Sequence, residues 1–168
     1  MRIYLVGFMG SGKSTYGRAL ADALGFAFYD LDELVEKAAG DNISAIFEND
    51  GEEKFRKLEK EQLRKTKEYE NAVIATGGGA ACEEGSMEWM NANGTTVYLR
   101  VLESQLHARL REDSSVRPLI KDIAEEDLFN WIYQALRNRA YYYQQANIVI
   151  SPGLLETKEL AEKLRMIM

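Results

Sequence analysis

No stretch of this chain limits its fold as tightly as Gly7-Phe8-Met9-Gly10-Ser11-Gly12-Lys13-Ser14-Thr15, which fits the phosphate-loop pattern G-x-x-x-x-G-K-[ST]. The pattern needs a strand in front of it and a helix behind it. Residues 2–6 read as a short buried strand, and residues 16–24 carry apolar side chains at helical spacing, so both needs are met. The glycines let successive backbone N–H groups converge on an anion, and the helix start adds partial positive charge. Lys13 is expected to reach the β and γ phosphates of a nucleoside triphosphate, and the Ser14 hydroxyl to ligate the Mg²⁺ that bridges them.

Composition narrows the partners. At 168 residues the chain has ordinary single-domain size and can bury a core without a disulfide or metal staple. Its formal net charge is −6 and the basic residues are scattered among acidic ones, which argues against a nucleic-acid partner. The one cysteine, Cys82, has no partner for an internal disulfide, and the only histidine is His107. With no motif around it, Cys82 reads as an incidental thiol. No signal sequence or long apolar span is recognisable, so a cytoplasmic protein with no membrane partner is expected.

Strands are expected at residues 2–6, 27–29, 72–75, 95–99 and 147–150, and helices at 14–24, 31–39, 51–67, 87–93, 103–110, 125–143 and 157–166. Such alternation implies a parallel α/β sheet. Gly25 and Gly94 stand just before strands, where helices should end. No repeat or linker interrupts the run, so one domain over residues 1–168 is expected, with the acidic stretch 52–70 read as a solvated helix. Residues 111–127 are polar and charged around an isolated Arg117-Pro118-Leu119. They suit a mobile lid at about 111–124, because phosphoryl transfer must exclude water.

Asp30 and Asp32 follow the second strand at its C-terminal end, where open α/β sheets place their ligands. One can hold a metal through water while the other orients or deprotonates an attacking hydroxyl, although Asp-x-Asp before a helix also serves as an N-cap. Thr76-Gly77-Gly78-Gly79 follows the third strand, and its amides can approach a bound molecule closely. This strand ends in glycine where a phosphate-loop enzyme would normally carry its metal carboxylate, which shifts the metal role to Asp30. Arg56, Arg117 and Arg139 are isolated arginines, each able to bind a carboxylate or a transferring phosphoryl group, so the set suits a kinase acting on an acid. Tyr141-Tyr142-Tyr143 reads as packing at a helix end.

In chain order, the phosphate loop, Asp30-Leu31-Asp32, Ile46-Phe47 with Asp50-Gly51-Glu52, Phe55-Arg56, Gly77-Gly78-Gly79, Arg117-Pro118-Leu119 and Arg139-Ala140-Tyr141 together resemble the shikimate kinase family, small relatives of the nucleoside monophosphate kinases. The resemblance implies a three-layer α/β/α sandwich around a five-stranded parallel sheet, the P-loop nucleoside triphosphate hydrolase fold. It implies ATP as donor and transfer of the γ-phosphoryl group to the 3-hydroxyl of shikimate, in the pathway to chorismate and the aromatic amino acids. By the same resemblance Asp32 hydrogen-bonds the shikimate hydroxyls and acts as base, and Asp30 binds Mg²⁺ through water. Arg56 and Arg139 grip the shikimate carboxylate, and Gly77, Gly78 and Gly79 contact substrate and phosphate. Arg117 closes over the γ-phosphate from the lid. Phe47 and Phe55 match apolar walls of the substrate pocket, in a helical region at about 31–62.

Gly10, Ser11, Gly12, Lys13, Ser14 and Thr15 form the expected ATP set, joined by Arg117 and, as the resemblance implies an arginine stacking on adenine shortly before the lid, by Arg109, which is preferred to Arg111 for that place. Two departures from the family stand out. Residues 112–116 lack the glycine often found in the lid, and the adenine-site loop, Ser151-Pro152-Gly153, is brief. The resemblance implies a monomer. The alternative reading is a kinase for another small hydroxy acid such as gluconate. A nucleotide-dependent switch would leave Asp32, Arg56 and Arg139 without a shared purpose.

Overall fold

The computed structural model describes residues 1–113, 118–152 and 156–166. The elements run β1 (Arg2–Val6), α1 (Lys13–Leu24), β2 (Ala27–Asp30), α2 (Leu31–Ala39), α3 (Ile43–Lys65), β3 (Ala72–Ala75), α4 (Ser86–Asn93), β4 (Thr95–Leu99), α5 (Glu103–Asp113), α6 (Glu125–Tyr143), β5 (Ile148–Ile150) and α7 (Thr157–Arg165). The strands form one parallel sheet in the order β2-β3-β1-β4-β5. The expected five-stranded α/β/α architecture is therefore the observed one.

Strand alternation explains the layers. Ile3 and Leu5 point to the face covered by α1 and α7, where they join Leu20, Leu160 and Leu164. Tyr4 and Val6 point to the opposite face and pack with Leu63, Met87, Met90 and Tyr143. Because both faces are buried, β1 is apolar at successive positions rather than at alternate ones. Gly17 lets α1 lie close on the sheet, since a Cβ there would sit 2.6 Å from Phe28 and 2.9 Å from Leu5. Two smaller cores support the loops. Phe8 and Met9 tie the phosphate loop to Leu106 and Leu110 of α5 and to Leu128 and Ile132 of α6, while Val35, Ile46 and Phe55 join α2 to α3.

One helix is longer than its sequence pattern suggests. The expected helix at 51–67 begins instead at Ile43, after Asn42, whose side chain accepts from the Ala45 N–H at 2.9 Å. The two halves are broken by Gly51 at φ 81°, ψ 173°, which is why periodicity read across the break finds only the second half. The helix ends at Lys65, and Thr66–Glu68 continue as a 3₁₀ turn. The last strand starts at Ile148 because Asn147 is a junction: its Oδ1 accepts from the Thr96 N–H at 3.0 Å.

Candidate active site

Parallel strands end together, and this register builds the site. Asp30 of β2 lies beside Ala75 of β3, and Leu5 of β1 beside Ala75 as well, so the loops after β1, β2 and β3 open on one cleft. The cleft measures about 870 Å³ and is lined by residues of the phosphate loop, Asp30, Asp32, Arg56 and the 77–79 glycine turn.

On the donor side, Gly10 and Gly12 adopt φ of 77° and 90°, and Gly12 is the N-cap of α1. A side chain at Gly10 would also meet Leu110 at 3.1 Å. The Lys13 ammonium is buried and donates to the carbonyls of Gly7 at 2.8 Å and Phe8 at 2.9 Å. Ser14 Oγ donates to Asp30 Oδ2 at 2.6 Å, while Asp30 Oδ1 accepts from the Asp32 N–H at 3.0 Å. Asp30 thus caps α2 and faces the phosphate loop at once, so the two roles seen in the sequence coexist. Arg109 reaches across from α5 and donates to the Gly10 carbonyl at 3.0 Å. Arg111 turns away toward Glu125, 3.7 Å distant. Arg117 lies outside the described residues, but the adjacent Pro118 and Leu119 line the cleft.

The acceptor side is built from α3, the glycine turn and α6. Arg56 is ringed by carboxylates: Glu59 Oε2 at 2.7 Å, Glu52 Oε1 at 3.1 Å and Glu83 Oε1 at 4.0 Å. Burial alone would lower the Arg56 pKa, but Glu59 and Glu52 more than offset it and hold it above its ordinary value. Gly79 leaves room for this guanidinium, since a Cβ there would lie 2.6 Å from both terminal nitrogens. Arg139 stands opposite, its Nη1 3.4 Å from the Gly78 carbonyl and its guanidinium carbon 5.2 Å from the centre of the Phe8 ring. Phe47 and Phe55 pack at 4.9 Å between ring centroids and both line the cleft.

Glu59 corrects the reading of 52–70 as a solvated helix. Its side chain is 1% exposed, Oε1 has no hydrogen-bond partner, and Gly77 is a glycine because a Cβ there would overlap that oxygen. Burial lifts its carboxyl to about 7, against the opposing pull of Arg56, with Asp32 and Glu83 raising it further. The residue was hidden in the sequence because six acidic residues occur between 52 and 70 and only the glycine turn, far along the chain, marks one as internal. Elsewhere the tyrosine run divides: Tyr143 is fully buried, whereas Tyr141 is 73% exposed. Cys82 is half-buried, and burial pushes its thiol up, so it is not set up as a nucleophile.

The family model for shikimate kinase matches residues 9–167. The chain belongs to the shikimate kinase family. Membership makes it an ATP-dependent kinase, a phosphotransferase acting on an alcohol. A shikimate kinase of Bacteroides fragilis is 42% identical over 162 residues, covering 96% of this chain and 90% of that one. One from Aquifex aeolicus is 43% identical over 150 residues, covering 89% and 86%. Among solved structures, the shikimate kinase of Bacteroides thetaiotaomicron superposes with a TM-score of 0.87 at 37% identity, covering 99% of this chain and 97% of that one. A shikimate kinase from Acinetobacter baumannii in complex with shikimate gives 0.86 at 34% identity, covering 99% and 91%. The family's P-loop fold and kinase activity are those the ordered motifs lead one to expect. No helix among the described residues is long and apolar enough to cross a membrane.

Proposed function

We propose that this kinase transfers the γ-phosphoryl group of ATP to the 3-hydroxyl of shikimate, giving shikimate 3-phosphate and ADP, in the route to chorismate and the aromatic amino acids. The observation that carries this reading is the meeting, in one cleft, of the phosphate loop with Arg56 and the glycine turn, whose Gly78 carbonyl lies 3.4 Å from Arg139 Nη1. The relative solved with shikimate supports the same acceptor. Gluconate and other small hydroxy acids are the control substrates.

On the donor side Lys13, Ser14, Thr15 and the amides of Gly10, Ser11 and Gly12 hold the triphosphate. Arg109 lies over the loop where the nucleotide would enter, which favours it over Arg111 for the adenine contact. The Ser14–Asp30 pair fits Mg²⁺, which takes few protein ligands and completes its shell with water and phosphate oxygens. Asp30 would hold the ion through one such water. When bound, the ion neutralises charge on the phosphates.

On the acceptor side Arg56 and Arg139 bind the carboxylate as bidentate partners, and the Gly77, Gly78 and Gly79 amides orient the ring. Asp32 holds the 3-hydroxyl and takes its proton late, because the transferring group is largely metaphosphate-like. Alignment and fixed positive charge from Lys13, and from Arg117 on a lid at about 111–124, supply most of the acceleration. The substrate region is formed by α2 and α3 at about 31–62. The reading includes a single domain over residues 1–168, a monomer in the cytoplasm, with neither nucleic acid nor membrane as partner. A coupled ADP-release assay run with shikimate, with gluconate and with no acceptor tests it: turnover should appear with shikimate alone. Equal rates in all arms, or wild-type turnover by Asp32→Ala, would overturn it.

A further inference from the structure

The Gly78 peptide is held from three directions. On one side it packs against the phosphate loop so closely that a Cβ at Gly78 would lie 3.1 Å from the Met9 nitrogen. From α6 its carbonyl receives Arg139 Nη1 at 3.4 Å and, far more tightly, the Tyr143 hydroxyl at 2.6 Å. Tyr143 is fully buried and its ring stacks on Tyr98 of β4 at 5.0 Å between centroids, so the hydroxyl has little freedom to swing away.

We propose that Tyr143 is a positioning residue for phosphoryl transfer, its hydroxyl fixing the Gly78 carbonyl and so the spacing between the glycine turn and the phosphate loop. The inference rests on the proposed acceptor site. Gly77 to Gly79 present the acceptor, the loop at Met9 and Gly10 presents the donor, and Gly78 is where the two backbones touch. In-line transfer loses rate steeply when reacting atoms are misplaced, by as much as a hundredfold for about 1 Å. Arg139 makes only a long contact to the same carbonyl and is already engaged with the ring of Phe8. It is therefore a poor substitute for the tyrosine.

Tyr143→Phe keeps the ring stack and removes only the donor. The expected result is a fall in kcat of about tenfold or more, with KM for ATP within about twofold of wild type and a melting temperature lowered by only a few degrees. Replacing Tyr143 by 4-aminophenylalanine, which restores an N–H donor at the same place, should recover most of the lost kcat. Tyr4→Phe removes another buried hydroxyl, bonded to Thr66 at 3.1 Å away from the cleft, and should leave kcat unchanged. The inference is overturned by a Tyr143→Phe enzyme with kcat within twofold of wild type, by no recovery with the amino analogue, or by a loss that vanishes when the assay is cooled well below the variant's melting point. Wild-type enzyme without shikimate-dependent turnover would instead refute the underlying functional reading, so the two failures are distinct.

Discussion

Replacing Glu59 with glutamine should change how the stability of this protein depends on pH. In the folded chain burial raises the Glu59 carboxyl to about 7 from an ordinary value of 4.5. The folded state therefore binds a proton where the unfolded chain has already released it. Stability owed to this group is full below about pH 4.5 and is lost as pH rises through 7. Each unit of separation is worth about 1.4 kcal/mol, so the loss amounts to about 3 kcal/mol. Glutamine has nearly the same shape, can still accept from Arg56, and does not titrate. Urea unfolding of both proteins from pH 4.5 to 8.5 gives the difference in ΔG, in which the other titrating groups largely cancel. That difference should move in favour of Glu59→Gln by about 3 kcal/mol across the range. A flat difference would show that Glu59 titrates alike in both states. A slope of opposite sign would show that the attraction of Arg56 outweighs burial, and would refute the reasoning.

Three further outcomes follow from the geometry. Gly79→Ala places a methyl 2.6 Å from both terminal nitrogens of an Arg56 already pinned by Glu52 and Glu59, so KM for shikimate should rise about tenfold while KM for ATP stays within twofold in steady-state assays. Arg109→Ala removes the contact to the Gly10 carbonyl and should weaken ATP binding by about 1 kcal/mol, roughly fivefold in titration calorimetry, with shikimate binding unchanged. Gly17→Ala crowds Phe28 and Leu5, and the strain should exceed the gain in helix propensity, leaving a loss of about 1–2 kcal/mol in chemical unfolding with kcat unaffected.

What the sequence made legible is what depends on neighbours along the chain. The phosphate loop, the Asp30 cap of α2 and the glycine turn after β3 each carry their signal within a few residues, and each lies where its local pattern puts it. What it concealed depends on residues brought together only by folding. The first half of α3 was hidden because Gly51 resets the helical phase, although Asn42 three residues before Ala45 was a capping signal in plain view. Glu59 and Tyr143 look like one more acid and one more tyrosine until Gly77 and Gly78 are placed against them. Arg109 and Arg111 competed for one role on paper, with Arg109 preferred; they stand two residues apart on a helix, and that spacing sends them to different faces.

The Lys13 ammonium has a consequence for which anions this loop will admit. It is already out of water, with the carbonyls of Gly7 and Phe8 as its acceptors. An incoming ligand does not meet a hydrated cation; it must displace peptide oxygens. A neutral or weakly basic oxygen gains nothing by that exchange, whereas a polyphosphate bearing full charge does. The loop thereby discriminates by charge: its lysine turns from its own backbone only toward a ligand whose oxygens are more strongly charged than the peptide carbonyls that hold it.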